Sequence, residues 1–167
     1  MELYVVNADG SDKRVLARLR VAGGGGVVWS PDGQTIALAS WSRGGRAIFL
    51  VNADGSGRRR LTLDAASDRD PAWSPDGRKL AFTSDRDGNS EVYVMNADGT
   101  GQRNLTRSLA FDLSFGWSPD GRKIAFVSGQ RGNAVVYVMN ADGRGQQRLT
   151  NGPDPEHTPA WSRGPKR

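Results

Sequence analysis

A fourfold internal repeat constrains this chain more than any other feature. The dipeptide Trp-Ser recurs every 44 residues, and three of the four copies continue as Ser-Pro-Asp-Gly. A second marker, Asn-Ala-Asp-Gly, recurs at steps of 45, 44 and 44 residues. Repeats of this length predict a fold built by stacking similar units, each of which buries its apolar faces against its neighbours. The repeated tryptophans are Trp29, Trp73, Trp117 and Trp161.

One period of the repeat predicts four short strands, a to d. In the second copy these are Pro71–Ser74, Lys79–Thr83, Val92–Met95 and Gln102–Thr106. Ser-Pro-Asp-Gly and Asn-Ala-Asp-Gly supply tight turns between a and b and between c and d. Four antiparallel strands in about 44 residues are typical of one β-propeller blade. We therefore predict an all-β propeller of about four blades; a β-solenoid, with shorter and simpler coils, is the alternative.

The repeated residues are interpreted as structural. The tryptophans are expected to pack between blades, and the Asp and Gly of each Ser-Pro-Asp-Gly to form the turn. A ligand-binding role for the tryptophans is the alternative. The turn residues are Asp32, Asp76, Asp120, Gly33, Gly77 and Gly121.

The blades are circularly permuted and incomplete within residues 1–167, which we treat as a single repeat domain. Strands c and d of a partial blade are expected in 1–18, complete blades in 27–62, 71–106 and 115–150, and strand a of the partial blade in 159–167. No strand b completes the partial blade. Three alternatives follow: self-closure as a small propeller, pairing of two chains in a larger ring, or a fragment of a longer propeller. We expect a homo-oligomer, and a dimer in particular, because exposed blade faces favour association.

The segments Trp73 to Thr106 and Trp117 to Thr150 read Trp-Ser-Pro-Asp-Gly-Arg-Lys-Leu/Ile-Ala-Phe, then Val-Tyr-Val-Met-Asn-Ala-Asp-Gly and Leu-Thr. This motif resembles the TolB-type (WD40-like) β-propeller repeat, and Trp29 to Thr62 is a looser copy with Leu38 at the place of Phe82. The resemblance spans essentially the whole chain.

The resemblance implies a bacterial periplasmic or extracellular location and a non-catalytic scaffold that binds a protein or peptide partner. It leaves two alternatives open. The chain could be a fragment of the gating propeller of a prolyl-oligopeptidase-like peptidase, or a self-assembling structural module, including an artificial one.

The composition of the chain argues against several classes of function. The net charge is +5, but the basic residues are spread through the repeats, so we predict no nucleic-acid binding. No stretch is apolar enough to insert into a membrane, and the first residues do not read as a signal peptide. The single histidine is not accompanied by a Gly-x-Ser-x-Gly elbow, so we expect no Ser–His–Asp set of that type, and the absence of cysteine excludes a thiolate metal site. We predict no enzyme and no cofactor, although a carboxylate pair between blades stays possible.

Binding residues are expected on the face that carries the b–c loops and the d–a connections, because these differ between copies while the tight turns do not. Asp68, Asp112 and Glu156 each stand five residues before a repeated tryptophan and could form a carboxylate ring at the channel mouth, which would attract a cation or a basic peptide. The alternative is ordinary turn chemistry. The other candidates are Trp41, Arg43, Asp70, Arg86, Arg131 and His157.

The b–c loop of the second copy faintly resembles a calcium loop, with Asp85, Asp87 and Asn89 at alternate positions. It lacks the distal bidentate Glu, and the other copies do not share it. We interpret it as a turn and predict no metal site.

Overall fold

The computed structural model describes residues 2–18, 26–63, 66–130, 133–151 and 156–162. These residues form fourteen strands and no helix, and all strand pairs are antiparallel. No helix among them could cross a membrane. The strands group into one two-stranded sheet and three four-stranded sheets, in which chain neighbours are also sheet neighbours. The expected all-β, propeller-type fold is confirmed.

The strand bounds follow the repeat. The partial blade consists of β1 (Glu2–Val5) and β2 (Arg14–Arg18). Blade 1 consists of β3 (Val27–Trp29), β4 (Thr35–Ser42), β5 (Gly45–Asn52) and β6 (Arg59–Arg60). Blade 2 consists of β7 (Arg69–Trp73), β8 (Lys79–Ser84), β9 (Glu91–Asn96) and β10 (Arg103–Asn104). Blade 3 consists of β11 (Phe111–Trp117), β12 (Lys123–Gln130), β13 (Asn133–Asn140) and β14 (Gln147–Arg148).

The core lies between the blades, in three separate layers. Alternation along each strand sends one set of side chains towards the preceding blade and the next set towards the following one. Ile48 and Leu50 of blade 1, for example, pack against Phe82 and Met95 of blade 2. Equivalent layers join the partial blade to blade 1 and blade 2 to blade 3. Because blades 1 and 2 bury both faces, their central strands are apolar on both sides.

Two of the four repeated tryptophans pack in these layers as predicted. Trp73 packs on the layer between blades 1 and 2, and Trp117 on the layer between blades 2 and 3, whereas Trp29 is 47% exposed. The indole N–H of Trp117 donates to the backbone oxygen of Ala72 at 3.2 Å, and that of Trp161 donates to the backbone oxygen of Gly116 at 3.0 Å. Each of these two indoles therefore links its own segment to the residue before the preceding tryptophan.

The glycines of the second, third and fourth Asn-Ala-Asp-Gly turns have a positive φ and lie against the preceding blade. A Cβ on Gly55 would lie 2.6 Å from the backbone oxygen of Leu16, and one on Gly143 would lie 3.0 Å from that of Leu105. Gly10, in the first copy of the turn, also has a positive φ, but a Cβ there would meet nothing within 4 Å. The difference marks the side of the partial blade that no other blade covers.

Two blade faces are uncovered among the described residues. Tyr4 of the partial blade is 46% exposed, whereas its repeat equivalent Tyr93 is 4% exposed. At the other end, Leu149 is 52% exposed and its equivalent Leu105 is 4% exposed. These residues match side chains that are buried between blades inside the chain.

The structure departs from the predicted strands in three places. Strands β7 and β11 begin at Arg69 and Phe111, earlier than predicted, and the d strands of blades 1 to 3 are only two residues long. The predicted strand over 159–167 is absent from its described part, 159–162, and the described residues contain no strand b for it to pair with; the remainder lies outside the described residues.

Candidate functional site

The tight turns lie together on one face of the blades, which we call the turn face, and they are built alike. In blade 2 the Ser74 hydroxyl donates to Asp76 Oδ1 at 2.6 Å and accepts the backbone N–H of Lys79 at 2.9 Å. The backbone N–H of Arg78 donates to Asp76 Oδ1 at 3.1 Å. Blades 1 and 3 repeat this scheme. The serine hydroxyl bond, followed by the backbone bond, lowers the pKa of the three aspartates, Asp32, Asp76 and Asp120.

Arginines fasten neighbouring blades together on the turn face. Arg59 of blade 1 donates to the backbone oxygens of Ala97 and Asp98 in blade 2, both at 2.9 Å. Arg14 and Arg103 make the equivalent contacts to the next blade. The turn face is therefore occupied by contacts that hold the repeat together.

The opposite face, which carries the b–c and d–a connections, we call the loop face; here the blades differ. In blade 1 the predicted loop from Trp41 to Arg46 is instead a tight hairpin, because β4 and β5 pair as far as Ser42 and Gly45. The Arg46 guanidinium lies 4.9 Å from the Trp41 ring centre. Trp41 is 51% exposed and Arg43 is exposed at the hairpin tip. Arg131, the candidate of blade 3, lies outside the described residues.

In blade 2 the b–c connection is a loop and not a tight hairpin. The Arg86 side chain makes the main contacts of this loop. Its Nη2 lies 3.2 Å from Asp68 Oδ1 and 3.3 Å from Oδ2, and its Nη1 donates to Gln102 Oε1 at 2.9 Å. The guanidinium also lies 4.7 Å from the Tyr93 ring centre. The Asp68 side chain is fully buried and the Arg86 side chain is 17% exposed. This buried ion pair holds the loop against the blade.

The three residues that resemble a calcium loop contact three different parts of the chain. Asp85 Oδ1 accepts the backbone N–H of Ser67 at 2.8 Å. Asp87 Oδ2 accepts the Tyr93 hydroxyl and the Asn104 amide, and these hydrogen bonds lower the pKa of Asp87. Asn89 donates to Glu91 and to the backbone oxygens of Ser108 and Ala110. Their oxygens do not converge, as expected for a turn.

The proposed carboxylate ring has equivalent backbone positions but not an exposed ring of charges. The backbone N–H groups of Asp68, Asp112 and Glu156 each donate to a carbonyl at the start of the preceding c strand, at 3.0, 2.7 and 2.8 Å. Two of the three side chains, Asp68 and Asp112, are fully buried, and Glu156 is half-buried. The Asp68 carboxylate pairs with the Arg86 guanidinium, and the Asp112 carboxylate accepts the Ser108 hydroxyl, so both meet side-chain donors rather than the backbone N–H donors of ordinary turn chemistry.

Of the remaining two candidates, Asp70 lies near the start of β7 and His157 lies in the connection after blade 3. Asp70 has a positive φ of 55° and lies 3.7 Å from Arg69 Nε. Burial raises the pKa of Asp70, while Arg69 and Arg46 oppose the rise. His157 is exposed. Neither residue meets a partner that would make it a catalytic acid or base.

Sequence reasoning missed the apolar side chains of the loop face. Leu109 is 98% exposed, Leu63 is 76% exposed and Phe111 is 49% exposed. All three stand in d–a connections or at the start of a strand a. Their signal in the sequence is an apolar residue between polar loop residues, without the repeat equivalents that mark core positions. Together with Trp41 they give the loop face its apolar character.

Nothing in the described ranges forms a recognisable reaction centre. No group of three or more His, Cys, Asp or Glu side chains within them could hold a metal ion. The candidate site is the loop face, where exposed apolar side chains stand on connections fixed by buried polar contacts.

Antiparallel four-stranded sheets that stack through apolar faces define a β-propeller protein. Residues 1–108 match the family model described as the TolB beta propeller domain. The chain belongs to this family.

Individual relatives agree with this assignment. The chain is 40% identical over 70 residues to the Tol-Pal system protein TolB of Anaeromyxobacter dehalogenans (strain 2CP-C), which covers 42% of this chain and 16% of that protein. The structure of a putative TolB from Agrobacterium tumefaciens superimposes with a TM-score of 0.77 and 25% identity, over 89% of this chain and 56% of that one.

A puromycin hydrolase structure shares the fold, with a TM-score of 0.69 and 19% identity over 86% of this chain and 24% of that one. At this identity the likeness shows the fold alone. This chain therefore spans 16% to 56% of the length of the relatives named here.

Proposed function

We propose that this chain is a non-catalytic scaffold that binds a protein or peptide through its loop face. The observation that carries the proposal is the exposure of Trp41, Leu63, Leu109 and Phe111 on connections that are otherwise polar. Isolated exposed side chains are common on protein surfaces, but four large ones on the single variable face favour a contact surface. Aromatic side chains in such surfaces contribute disproportionately to affinity.

The family supports the same class of function. One relative is a Tol-Pal system protein, which its name places in a multi-protein system. We extend to this chain a location outside the cytoplasm, as the resemblance to TolB-type repeats implies. The alternative of a peptidase gating propeller rests on fold likeness alone; an α/β-hydrolase segment encoded downstream in the same reading frame would favour it.

A peptide-display selection tests the proposal. Peptides selected on the immobilised chain should lose at least about tenfold in affinity when Leu109 and Phe111 are both replaced by Ser, because a buried aromatic contact is worth more than 1 kcal/mol. The matched control is Gln34→Ser, an exposed change on the turn face. Equal affinity for the two variants, or loss in the control alone, would contradict a binding role for the loop face.

Self-association is a second proposal, and the uncovered blade faces favour it. Tyr4 and Gly10 on one face, and Leu149 on the other, match residues that contact another blade inside the chain. We propose that a second copy covers these faces when the 167-residue chain is alone in solution, giving a head-to-tail dimer. Light scattering should give twice 18.0 kDa, and Leu149→Asp should reduce it to the monomer. A folded wild-type monomer would contradict the dimer.

A further inference from the structure

Two carboxylates are buried side by side where blade 2 meets blade 3. Glu91 is the first residue of β9 and is 2% exposed, and Asp112 is the second residue of β11 and is fully buried. The repeat equivalents of Glu91 are Ala47 and Val135, which are small and apolar. The junction of blades 2 and 3 therefore carries a buried acid that the repeat pattern does not require.

One serine lies between the two acids. The backbone N–H of Ser108 donates to Glu91 Oε1 at 3.0 Å, while its hydroxyl donates to Asp112 Oδ2 at 2.8 Å. Glu91 also accepts the Thr106 hydroxyl and, at 3.2 Å, the Asn89 amide. By contrast, Asp112 Oδ1 is buried and accepts no hydrogen bond from any described protein group. A buried, unfilled acceptor is costly, so this oxygen requires a donor.

The charged groups that surround Glu91 do not compensate its charge. The charge that acts on Glu91 is that of Asp112, and it is also negative. Each nearby arginine has another partner: Arg69 donates to Ser90 Oγ at 2.7 Å, Arg86 pairs with Asp68, and Arg107 acts on Asp87. The charged residues of the strands and loops around the pair are Arg69, Asp70, Asp85, Arg86, Asp87, Arg107 and Asp112.

We propose that Glu91 and Asp112 bind a single proton between them and that this acid–carboxylate pair ties blade 2 to blade 3. The proton lies between Asp112 Oδ1 and the Glu91 carboxylate, where it fills an acceptor that no described protein group fills. It also removes one of two buried negative charges. The pair is thus a proton-binding site built into a blade junction, and it is independent of whether the loop face binds a partner.

The direction of the pH dependence follows from the linkage between proton binding and folding. Burial, and then the charge of and hydrogen bond to Asp112, raise the pKa of Glu91 above its ordinary value, although the Thr106 and Asn89 bonds lower it. The folded protein then keeps a proton that the unfolded chain has already released. The stabilisation is complete below the ordinary Glu pKa and is lost as the pH rises through the folded-state pKa. Alkaline conditions should therefore loosen this junction.

Asp112→Asn provides a matched variant. The Asn amide nitrogen can donate permanently to Glu91, while its oxygen still accepts the Ser108 hydroxyl. The melting temperature of the wild type should fall by about 4 °C more than that of Asp112→Asn between pH 6 and pH 9, a size expected for one lost buried interaction in a domain of this length. Glu91→Gln should remove the same pH dependence. Asp120→Asn, on the turn face, should keep it.

Infrared spectroscopy tests the site directly, because the decisive band is measured on the wild type. At pH 7 ordinary carboxyl groups are ionised, so the wild type should show the carbonyl band of a protonated carboxylic acid. The Asp112→Asn spectrum separates this band from any contribution of Asp70. Absence of the band in the wild type at pH 7 would overturn the proposal. So would a rise in melting temperature on adding calcium at pH 8 that Asp112→Asn abolishes, because a cation and not a proton would then occupy the pair.

Discussion

The turn face and the loop face are formed by the same repeat. The contacts of the turn face recur from blade to blade, whereas those of the loop face differ between blades. On the turn face, each blade repeats the Ser–Asp hydrogen bonds and an arginine that reaches the next blade. On the loop face, blade 1 has a hairpin with Trp41, and blade 2 has a loop held by a buried ion pair. The difference teaches that the repeated residues assemble the blades, while the unrepeated ones give the chain its individual surface.

The largest expected effect comes from the buried ion pair of the loop face. Arg86→Met should cost about 3–4 kcal/mol in the free energy of unfolding, because it leaves the buried Asp68 carboxylate without its cation. Adding Asp68→Asn should recover part of this loss. The measurement is urea unfolding, with Arg43→Met as an exposed control that should change stability by less than about 0.5 kcal/mol. A cost for Arg86→Met as small as the control's would show that the pair does not hold the loop.

A second prediction compares a covered turn with an uncovered one. Gly55→Ala should cost about 3 kcal/mol, because the new Cβ would meet the backbone oxygen of Leu16 at 2.6 Å in addition to the strain of a positive φ. Gly10→Ala has the same strain without the contact and should cost about 1 kcal/mol. Urea unfolding of both variants measures the difference. Equal costs would mean that the partial blade does not pack on blade 1 as described.

A smaller effect is expected from the arginines of the turn face. Arg59→Ala removes two hydrogen bonds to the next blade at an exposed position, so it should cost about 0.5–1 kcal/mol. Arg14→Ala and Arg103→Ala should behave alike, since they hold equivalent positions. Denaturant midpoints of the three variants check this. If the loss in the free energy of unfolding differs severalfold between the three variants, the blade junctions are not equivalent.

The smallest expected effect is on the pH dependence of stability, which should run in opposite directions for the turn face and for the Glu91–Asp112 pair. Hydrogen bonds lower the pKa of Asp76, so its contribution to stability is present above the ordinary Asp pKa and is lost as the pH falls through the folded-state value. The Glu91–Asp112 pair is expected to lose its contribution as the pH rises. Asp76→Asn should thus lower the melting temperature slightly at neutral pH, and its difference from the wild type should shrink as the pH falls below about pH 4. A difference that stays the same down to about pH 2 would contradict this assignment.

Much of the fold could be predicted because the same strand and turn motifs recur in successive copies of the repeat. The positions of the turns and of the b and c strands followed from Ser-Pro-Asp-Gly and Asn-Ala-Asp-Gly, whose conformations are local. The hairpin of blade 1 was missed because Trp41 and Arg46 look like loop residues, but cross-strand contact between them extends the pairing. The strand at 159–167 was predicted from its likeness to other copies, although its partner strand is absent.

The site was less predictable, because burial there depends on residues far apart in sequence. Asp68 and Asp112 were expected at equivalent positions and occupy them. The sequence could not show that the Asp68 carboxylate is buried against Arg86, or that the Asp112 carboxylate lies next to Glu91. The exposure of Leu109 was hidden for the opposite reason. A leucine in a short connection could equally fill a gap between blades, and only its surroundings decide.

Hydrogen–deuterium exchange of the chain with and without a selected peptide tests the central claim most directly. If the loop face is the binding surface, the peptide should protect backbone amides in residues 41–46 and 107–112 and leave the turns at 31–34 and 75–78 unchanged. Protection confined to the turn face would contradict the division of the molecule into a face that holds the blades together and a face that binds.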